Sequence, residues 1–378
     1  MSALFNTYAR RPIALVEGKG TIVKDQNGKE YLDFTSGIAV LSLGHAHPEL
    51  VKTIQEQSEK IWHTSNLYQA PWQEKLAESF VKDTHFSYAF FCNSGAEANE
   101  AAIKLARKHT GKHHIITFKQ SFHGRTFGSM SATGQEKIQK GFGPMVEKFT
   151  YLPFNDVEAL KNAVDDSVAA IMLEVIQGEG GVNQVTDELA EAIQEICSNR
   201  NILLIVDEVQ TGIGRTGTRF AFEQTPLKPD IVTMAKGLGG GFPIGGILGT
   251  KKLYDSFGPG THGTTFGGNP LGVAVAQKVI DIVFQEEFLN EVKKKSAYFV
   301  EQLKATFPNG EFKVKGKGLL LGLESENEVA EYIGKLEEAG LLVCAAGTRV
   351  IRLLPPLTVS YEEIDQAVAI LKKVLLEN

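Results

Sequence analysis

Cysteine is scarce. Cys92, Cys197 and Cys344 are odd in number and far apart, which argues against a disulfide framework and a zinc site and leaves core packing as their expected role. No stretch approaches the roughly 20 apolar residues that a membrane span needs, and Met1-Ser-Ala-Leu-Phe-Asn lacks the charged start and long apolar core of a secretion signal. No Lys/Arg run stands out against a net charge of −6, so there is no basic stripe for nucleic acid or an anionic membrane. Repeats and low-complexity linkers are missing too. These absences leave a cytoplasmic globular protein with small-molecule partners as the expectation.

Glycine, by contrast, is abundant, with 38 residues in 378, and points to tight loops of the kind that hold phosphates. The length exceeds the limit of about 250 to 300 residues for a single core, so a large and a smaller domain are expected. Between residues 88 and 250, short apolar runs alternate with helical patterns, the signature of a mostly parallel sheet covered on both faces. Tyr88-Ala-Phe-Phe-Cys92, Ile115-Ile-Thr-Phe118, Ala169-Ala-Ile-Met-Leu173, Ile202-Leu-Leu-Ile-Val206, Ile231-Val-Thr-Met234 and Ile244-Gly-Gly-Ile-Leu248 read as its strands. Asn93-Ser-Gly, Gln120-Ser-Phe-His-Gly-Arg125, Glu174-Val-Ile-Gln-Gly-Glu179, Asp207-Glu-Val-Gln210 and Lys236 each follow a strand, at the edge where open α/β sheets bind ligands. Asn269-Pro270 opens an apolar helix expected to lead into a small α+β domain. Its strands are Lys313-Val-Lys315, Gly318-Leu-Leu-Leu-Gly-Leu323, Leu341-Leu-Val-Cys344 and Val350-Ile-Arg-Leu-Leu354, joined by a hairpin over residues 21–33. The expected division is an N-terminal segment (1–49) joining the small domain, a large domain (50–272), and a linking helix with the C-terminal small domain (273–378).

Lys236 ends an apolar run and opens Gly237-Leu-Gly-Gly-Gly241. Burial lowers a lysine's pKa and makes it a nucleophile toward aldehydes and a general base, although a strand-end lysine can also simply snorkel to water. Asp207 ends a run without polar side chains, where a carboxylate calls for a cation. A protonated pyridine nitrogen would suit, as would a structural ion pair or a helix cap. Ser94-Gly-Ala-Glu97 opens a helix whose free N–H groups could bind phosphate, or is a capping box alone. Arg125 and Arg352 suit substrate carboxylates, with Glu179 as partner or gate of Arg352; a structural salt bridge is the alternative for Arg352. Gly212-Ile-Gly-Arg-Thr-Gly217 matches a dinucleotide pattern but reads as a turn. His45, His47, His113 and His114 lack companions with metal spacing, so no metal is expected.

These segments resemble the class III, or ω-amino-acid, aminotransferases that use pyridoxal 5′-phosphate. The likeness runs from Phe34-Thr-Ser-Gly-Ile-Ala-Val40 and Gly44-His-Ala-His-Pro48 through Asn93-Ser-Gly-Ala-Glu-Ala-Asn-Glu-Ala, Ser121-Phe-His-Gly-Arg-Thr126, Asp207-Glu-Val-Gln-Thr-Gly and Lys236 to Thr261-His-Gly-Thr-Thr-Phe-Gly-Gly-Asn-Pro270 and Arg352. Gly141-Phe-Gly-Pro144, Leu152-Pro-Phe-Asn-Asp156 and Gln177-Gly-Glu-Gly-Gly-Val182 are similar to the acetylornithine-type members; Val175 departs from the proline common there. The resemblance implies a fold-type I α/β architecture. It also implies transfer of the terminal amino group of N2-acetylornithine to 2-oxoglutarate, giving glutamate, in arginine biosynthesis. Ornithine, succinylornithine and 4-aminobutyrate transaminases are the alternatives, with a non-catalytic pyridoxal-phosphate regulator and a cofactor-free lysine aldolase further off. Lys236 would carry the cofactor covalently and move the proton, and Asp207 would hold the pyridinium proton. Gln210 would lie near the phenolic oxygen, Phe122 would stack on the ring, and Val209 would contact it. Ser94, Gly95 and Ala96 would receive the phosphate, with Thr265 arriving from a neighbouring subunit of a homodimer that shares its active sites. Arg125, Thr264, Arg352 and Glu179 would handle substrates.

Overall fold

The computed structural model describes residues 3–377. Its main sheet has seven strands in the spatial order Tyr88–Cys92, Gly245–Gly249, Ile231–Met234, Leu203–Asp207, Val168–Leu173, His114–Phe118 and Phe149–Leu152. Gly245–Gly249 is antiparallel to both neighbours, and the other pairings are parallel. This is the expected mostly parallel α/β sheet. Phe149–Leu152 is an addition to the six strands anticipated: this edge segment is mostly half-buried and its Phe-Thr-Tyr-Leu mixture does not stand out as an apolar run.

Val168–Leu173 and Leu203–Asp207 are buried along their whole length, because helices Gly95–Thr110 and Asp187–Arg200 pack against them. That burial is why both read as continuous apolar runs and not as alternating ones. The first of these helices presents Ala98, Ala101, Ala102, Leu105 and Ala106 inward, small side chains that let it lie close to the sheet. Parallel pairing brings the C-terminal strand ends to one edge, so residues 93–96, 120–125, 174–179, 207–210 and 236 converge there.

Two four-stranded sheets stand apart from the main one. Leu15–Lys19, Ile22–Asp25, Glu30–Asp33 and Leu341–Leu342 form the first, and Lys313–Lys317, Leu320–Glu324, Val350–Leu353 and Cys344–Ala346 the second. The run 341–344, expected as one strand, is therefore divided. Leu341–Leu342 pairs in parallel with Glu30–Asp33, while Cys344–Ala346 pairs antiparallel with Val350–Leu353. The hairpin over 21–33 forms as expected but meets the C-terminal part through that parallel pair.

Helix Pro270–Val283 starts with Asn269 Oδ1 accepting from Gly272 N at 2.8 Å and proline in its first turn. It leads to Glu286–Thr306, which packs against the last helix, Tyr361–Leu376. Gly212-Ile-Gly-Arg-Thr-Gly217 is a turn, as read from the sequence, and the short 3-10 segment Ala221–Gln224 follows it. His45 Nε2 lies 2.8 Å from Asp33 Oδ2 in a local hydrogen bond. Among the described residues, no helix is long and apolar enough to cross a membrane, and no group of three or more His, Cys, Asp or Glu is placed to hold a metal.

The last helix is fixed to the N-terminal sheet by one carboxylate. Glu363 Oε2 accepts from Ser360 N at 2.8 Å and from Thr21 Oγ1 at 3.0 Å, while Ser360 Oγ accepts from Glu363 N at 3.1 Å. Ser360→Ala removes half of this capping box and should cost about 1 kcal/mol of stability, read as a lower denaturant midpoint. An unchanged midpoint would mean that the cap contributes nothing.

Candidate active site

Asp207 ends a strand buried on both faces and is itself 3% exposed, so its charge needs donors. Three are present. Asn99 Nδ2 donates to Oδ2 at 2.8 Å, Val209 N donates to Oδ1 at 3.0 Å, and His123 Nδ1 lies 2.7 Å from Oδ2. Burial pulls the His123 imidazole down, but its hydrogen bond to Asp207 and the charges of Asp207 and Glu174 outweigh that and raise its pKa. His123 is thus one of the polar partners that the buried Asp207 requires. Asp207 also lines a cavity of about 420 Å³ at the sheet edge.

Lys236 lines the same cavity, two residues beyond Ile231–Met234, with a left-handed φ of 42° that non-glycine residues seldom adopt. Burial lowers its pKa and the Arg352 charge lowers it further, against the opposing pull of Glu179, Asp207 and Glu174. An amine of lowered proton affinity and a buried carboxylate therefore share one chamber.

Ser94, Gly95 and Ala96 form a third wall of this cavity. Ser94 Oγ accepts from Glu97 N at 3.2 Å, so the capping interaction exists. The returning carboxylate, however, binds one residue earlier than in a capping box: Glu97 Oε2 accepts from Asn93 N at 2.7 Å and from Asn93 Nδ2 at 2.9 Å. The N–H groups of Gly95 and Ala96, at the start of the helix, have no partner within it and can receive an anion. A Cβ on Gly95 would lie 2.6 Å from Val209 Cγ1, so glycine is what allows the helix start to reach Val209. Capping and anion binding coexist here.

Phe122 lines the cavity, with the exposed Arg125 guanidinium 5.7 Å from its ring centroid. Phe122 N donates to Glu174 Oε1 at 2.9 Å, and Gly178 N donates to Glu174 Oε2 at 3.2 Å. Burial lifts the Glu174 carboxyl to about 7, against the pull of His123 and the two backbone donors. Arg352 is 1% exposed, and its Nη1 donates to Glu179 Oε1 at 2.7 Å, to Gln210 Oε1 at 2.9 Å and to Gly178 O at 2.9 Å. Gln210 thus connects the cavity to Arg352. Despite its burial, Glu179 titrates below its usual range because of the Arg352 charge.

Thr264 and Thr265 stand apart. They line a neighbouring cavity of about 390 Å³ with Asn93 and Glu97, and Thr264 Oγ1 accepts from Asn93 Nδ2 at 3.0 Å; within one chain neither lines the Lys236 cavity. Three residues at the site carried no assigned role in the sequence reading: Asn99, His123 and Glu174. His123 lies inside a motif noted for Phe122 and Arg125, Asn99 lies one turn along the helix from Gly95, and Glu174 follows a buried strand as Asp207 does.

The cavity suits a flat, phosphorylated ring bearing an aldehyde, the cofactor of pyridoxal-phosphate enzymes: a helix start for the phosphate, a carboxylate for a ring nitrogen, and an amine of lowered proton affinity for the carbonyl. The family profile described as aminotransferase class-III matches residues 5–375, and the chain belongs to this family of pyridoxal-phosphate-dependent transaminases. It is 54% identical over 376 residues to the acetylornithine aminotransferase of Bacillus cereus, covering 99% of this chain and 97% of that one. The acetylornithine aminotransferase of Bacillus subtilis is 53% identical, with 99% and 98% covered. An ornithine aminotransferase structure from Toxoplasma gondii superposes with a TM-score of 0.94 at 33% identity, covering 99% of this chain and 92% of that one. The N-acetylornithine aminotransferase structure from Stenotrophomonas maltophilia gives 0.85 at 37% identity, with 98% and 97% covered.

The raised Glu174 pKa makes stability depend on pH. The folded state holds this proton more tightly than the unfolded state, so folding loses stability as pH rises from about 4.5 through about 7. The raised His123 pKa acts with the same sign, its contribution being complete below 6.5 and lost as pH rises through the folded value. In denaturant titrations across that window, Glu174→Gln should gain on the parent protein as pH rises. A difference that stays constant with pH would contradict the buried, proton-holding carboxyl.

Proposed function

We propose that this transaminase moves the terminal amino group of N2-acetyl-L-ornithine to 2-oxoglutarate, giving N-acetyl-L-glutamate 5-semialdehyde and L-glutamate in arginine biosynthesis. The observation that carries the reading is the single cavity lined by Lys236, Asp207 and the helix start at 94–96. The names of the relatives at 53–54% identity support the choice of donor. Ornithine, succinylornithine and 4-aminobutyrate are the competing donors.

When bound, pyridoxal phosphate supplies an aldehyde carbon for the amine and a ring that draws electron density from the substrate carbon. Ser94, Gly95 and Ala96 would hold the phosphate, and Asp207 would keep the ring nitrogen protonated, with His123 and Asn99 fixing its carboxylate. Phe122 and Val209 would contact the ring, and Gln210 would lie near its phenolic oxygen. Lys236 Nζ would hold the cofactor, take the proton from the donor carbon and deliver it to the cofactor carbon; its lowered pKa suits both roles. Arg125 would bind the α-carboxylate of the donor and, in the second half-reaction, the distal carboxylate of 2-oxoglutarate. Arg352 would take the α-carboxylate of 2-oxoglutarate, with Glu179 covering it otherwise.

Thr265 would serve the neighbouring subunit of a cytoplasmic homodimer, and Thr264 would take part in substrate binding. Residues 50–272 would form the cofactor-binding domain, with 1–49 and 273–378 making up the smaller one. An amino-donor panel with 2-oxoglutarate tests the reading. N2-acetylornithine should be preferred over ornithine and 4-aminobutyrate, and Lys236→Ala should lower turnover by about three orders of magnitude. Equal or better turnover of ornithine or 4-aminobutyrate would reject the proposed donor.

A further inference from the structure

One fully buried cation stands outside the site described above. Arg215, in the turn Gly212-Ile-Gly-Arg-Thr-Gly217, is 2% exposed, and burial lowers its pKa to about 9, so it is charged at neutral pH. Its charge is met by carbonyl dipoles. Arg215 Nη1 donates to Leu319 O at 3.0 Å and to Pro355 O at 2.5 Å, while Leu319 N donates to Arg215 O at 2.9 Å.

Those acceptors mark two neighbouring strands. Leu319 immediately precedes Leu320–Glu324, and Pro355 lies two residues beyond Val350–Leu353. The strands pair antiparallel with Gly322 opposite Arg352. Arg215 therefore ties together the ends of the strand pair that presents Arg352. Its own segment leads back to the cofactor side, since Gln210, five residues earlier, accepts from Arg352 Nη1. The contact is close at backbone level as well: Gly318 has a φ of +63°, and a Cβ there would lie 2.4 Å from both Arg215 O and Thr216 Cα. Residues 207–217 thus hold Arg352 twice, directly through Gln210 and through its strands by way of Arg215.

We propose that Arg215 is a positioning residue that fixes Arg352 relative to the cofactor-side loop and so sets the affinity for the α-carboxylate of 2-oxoglutarate, without touching either substrate. The proposal rests on the assignment of Arg352 to that carboxylate. A guanidinium grips a carboxylate through two parallel hydrogen bonds, which a small displacement weakens. The donor's carboxylate is assigned to Arg125, on the loop after His114–Phe118, to which Arg215 makes no hydrogen bond among the described residues. The effect should therefore fall on one half-reaction.

The test uses cofactor-loaded Arg215→Met and Arg215→Lys, with the two half-reactions followed separately by cofactor absorbance. Arg215→Met should raise the KM for 2-oxoglutarate by about tenfold or more. The donor half-reaction should stay within about twofold, and Arg215→Lys, which keeps the charge, should fall between parent and Met variant. Equal losses in both half-reactions, or no change in either, would overturn the proposal. If the Met variant does not fold, the Lys variant decides by the same criterion: a rise confined to 2-oxoglutarate supports the positioning role, and an even or absent change rejects it. Arg352→Ala separates the two assignments. If it leaves the KM for 2-oxoglutarate unchanged, both fail; if it raises that KM while the Arg215 variants do not, only the positioning role fails.

Discussion

A carboxylate kept at the end of a strand buried on both faces is the constraint around which the site is built. Asp207 would be costly there without donors, and its donors come from three segments: Asn99 from a helix, His123 from a loop, and Val209 from its own turn. Each brings a wall of the cavity with it. Asn99 belongs to the helix that starts at 94–96, His123 to the loop of Phe122 and Arg125, and Val209 to the turn of Gln210. Satisfying one buried charge therefore brings together the phosphate-ready helix start, the aromatic wall and the link to Arg352.

The charges around Asp207 are balanced in pairs. His123 is raised by Asp207, and Glu179 is lowered by Arg352, in each case against the effect of burial. Glu174 is pushed up to about 7, and it joins the Phe122 loop to the strap carrying Gly178 and Glu179. Glu208, next to Asp207, is also lifted to about 7 by burial, and it accepts from Thr211 Oγ1 and Phe222 N, which pins the turn after the strand. Amid these pairs Lys236 loses proton affinity, because burial and Arg352 outweigh the acids near it. A nucleophilic amine follows from that arrangement.

Much of this was legible in the sequence. Continuous apolar runs announce strands buried on both faces, and polar residues at their ends announce the ligand edge, so Asp207, Lys236, the helix start and Arg352 could be found before any coordinates. What stayed hidden depends on contacts between distant segments. Nothing local distinguishes Asn99 from any other helix residue, and His123 acquires its role only when its loop folds over Asp207, 84 residues further along the chain. Phe149–Leu152 lacks an apolar pattern because it lies at the sheet edge. The run 341–344 divides between two sheets because its halves find different partners. Residues 264 and 265, assigned to the site by resemblance, lie outside the Lys236 cavity of their own chain.

The chemistry of the site turns on the carboxylate of Asp207 and its pull on the bound cofactor. The most direct test is the turnover of cofactor-loaded Asp207→Asn, which keeps the shape of the side chain and removes the charge. Turnover should fall by about two orders of magnitude or more while the cofactor remains bound. Undiminished turnover in the cofactor-loaded variant would contradict this role of Asp207.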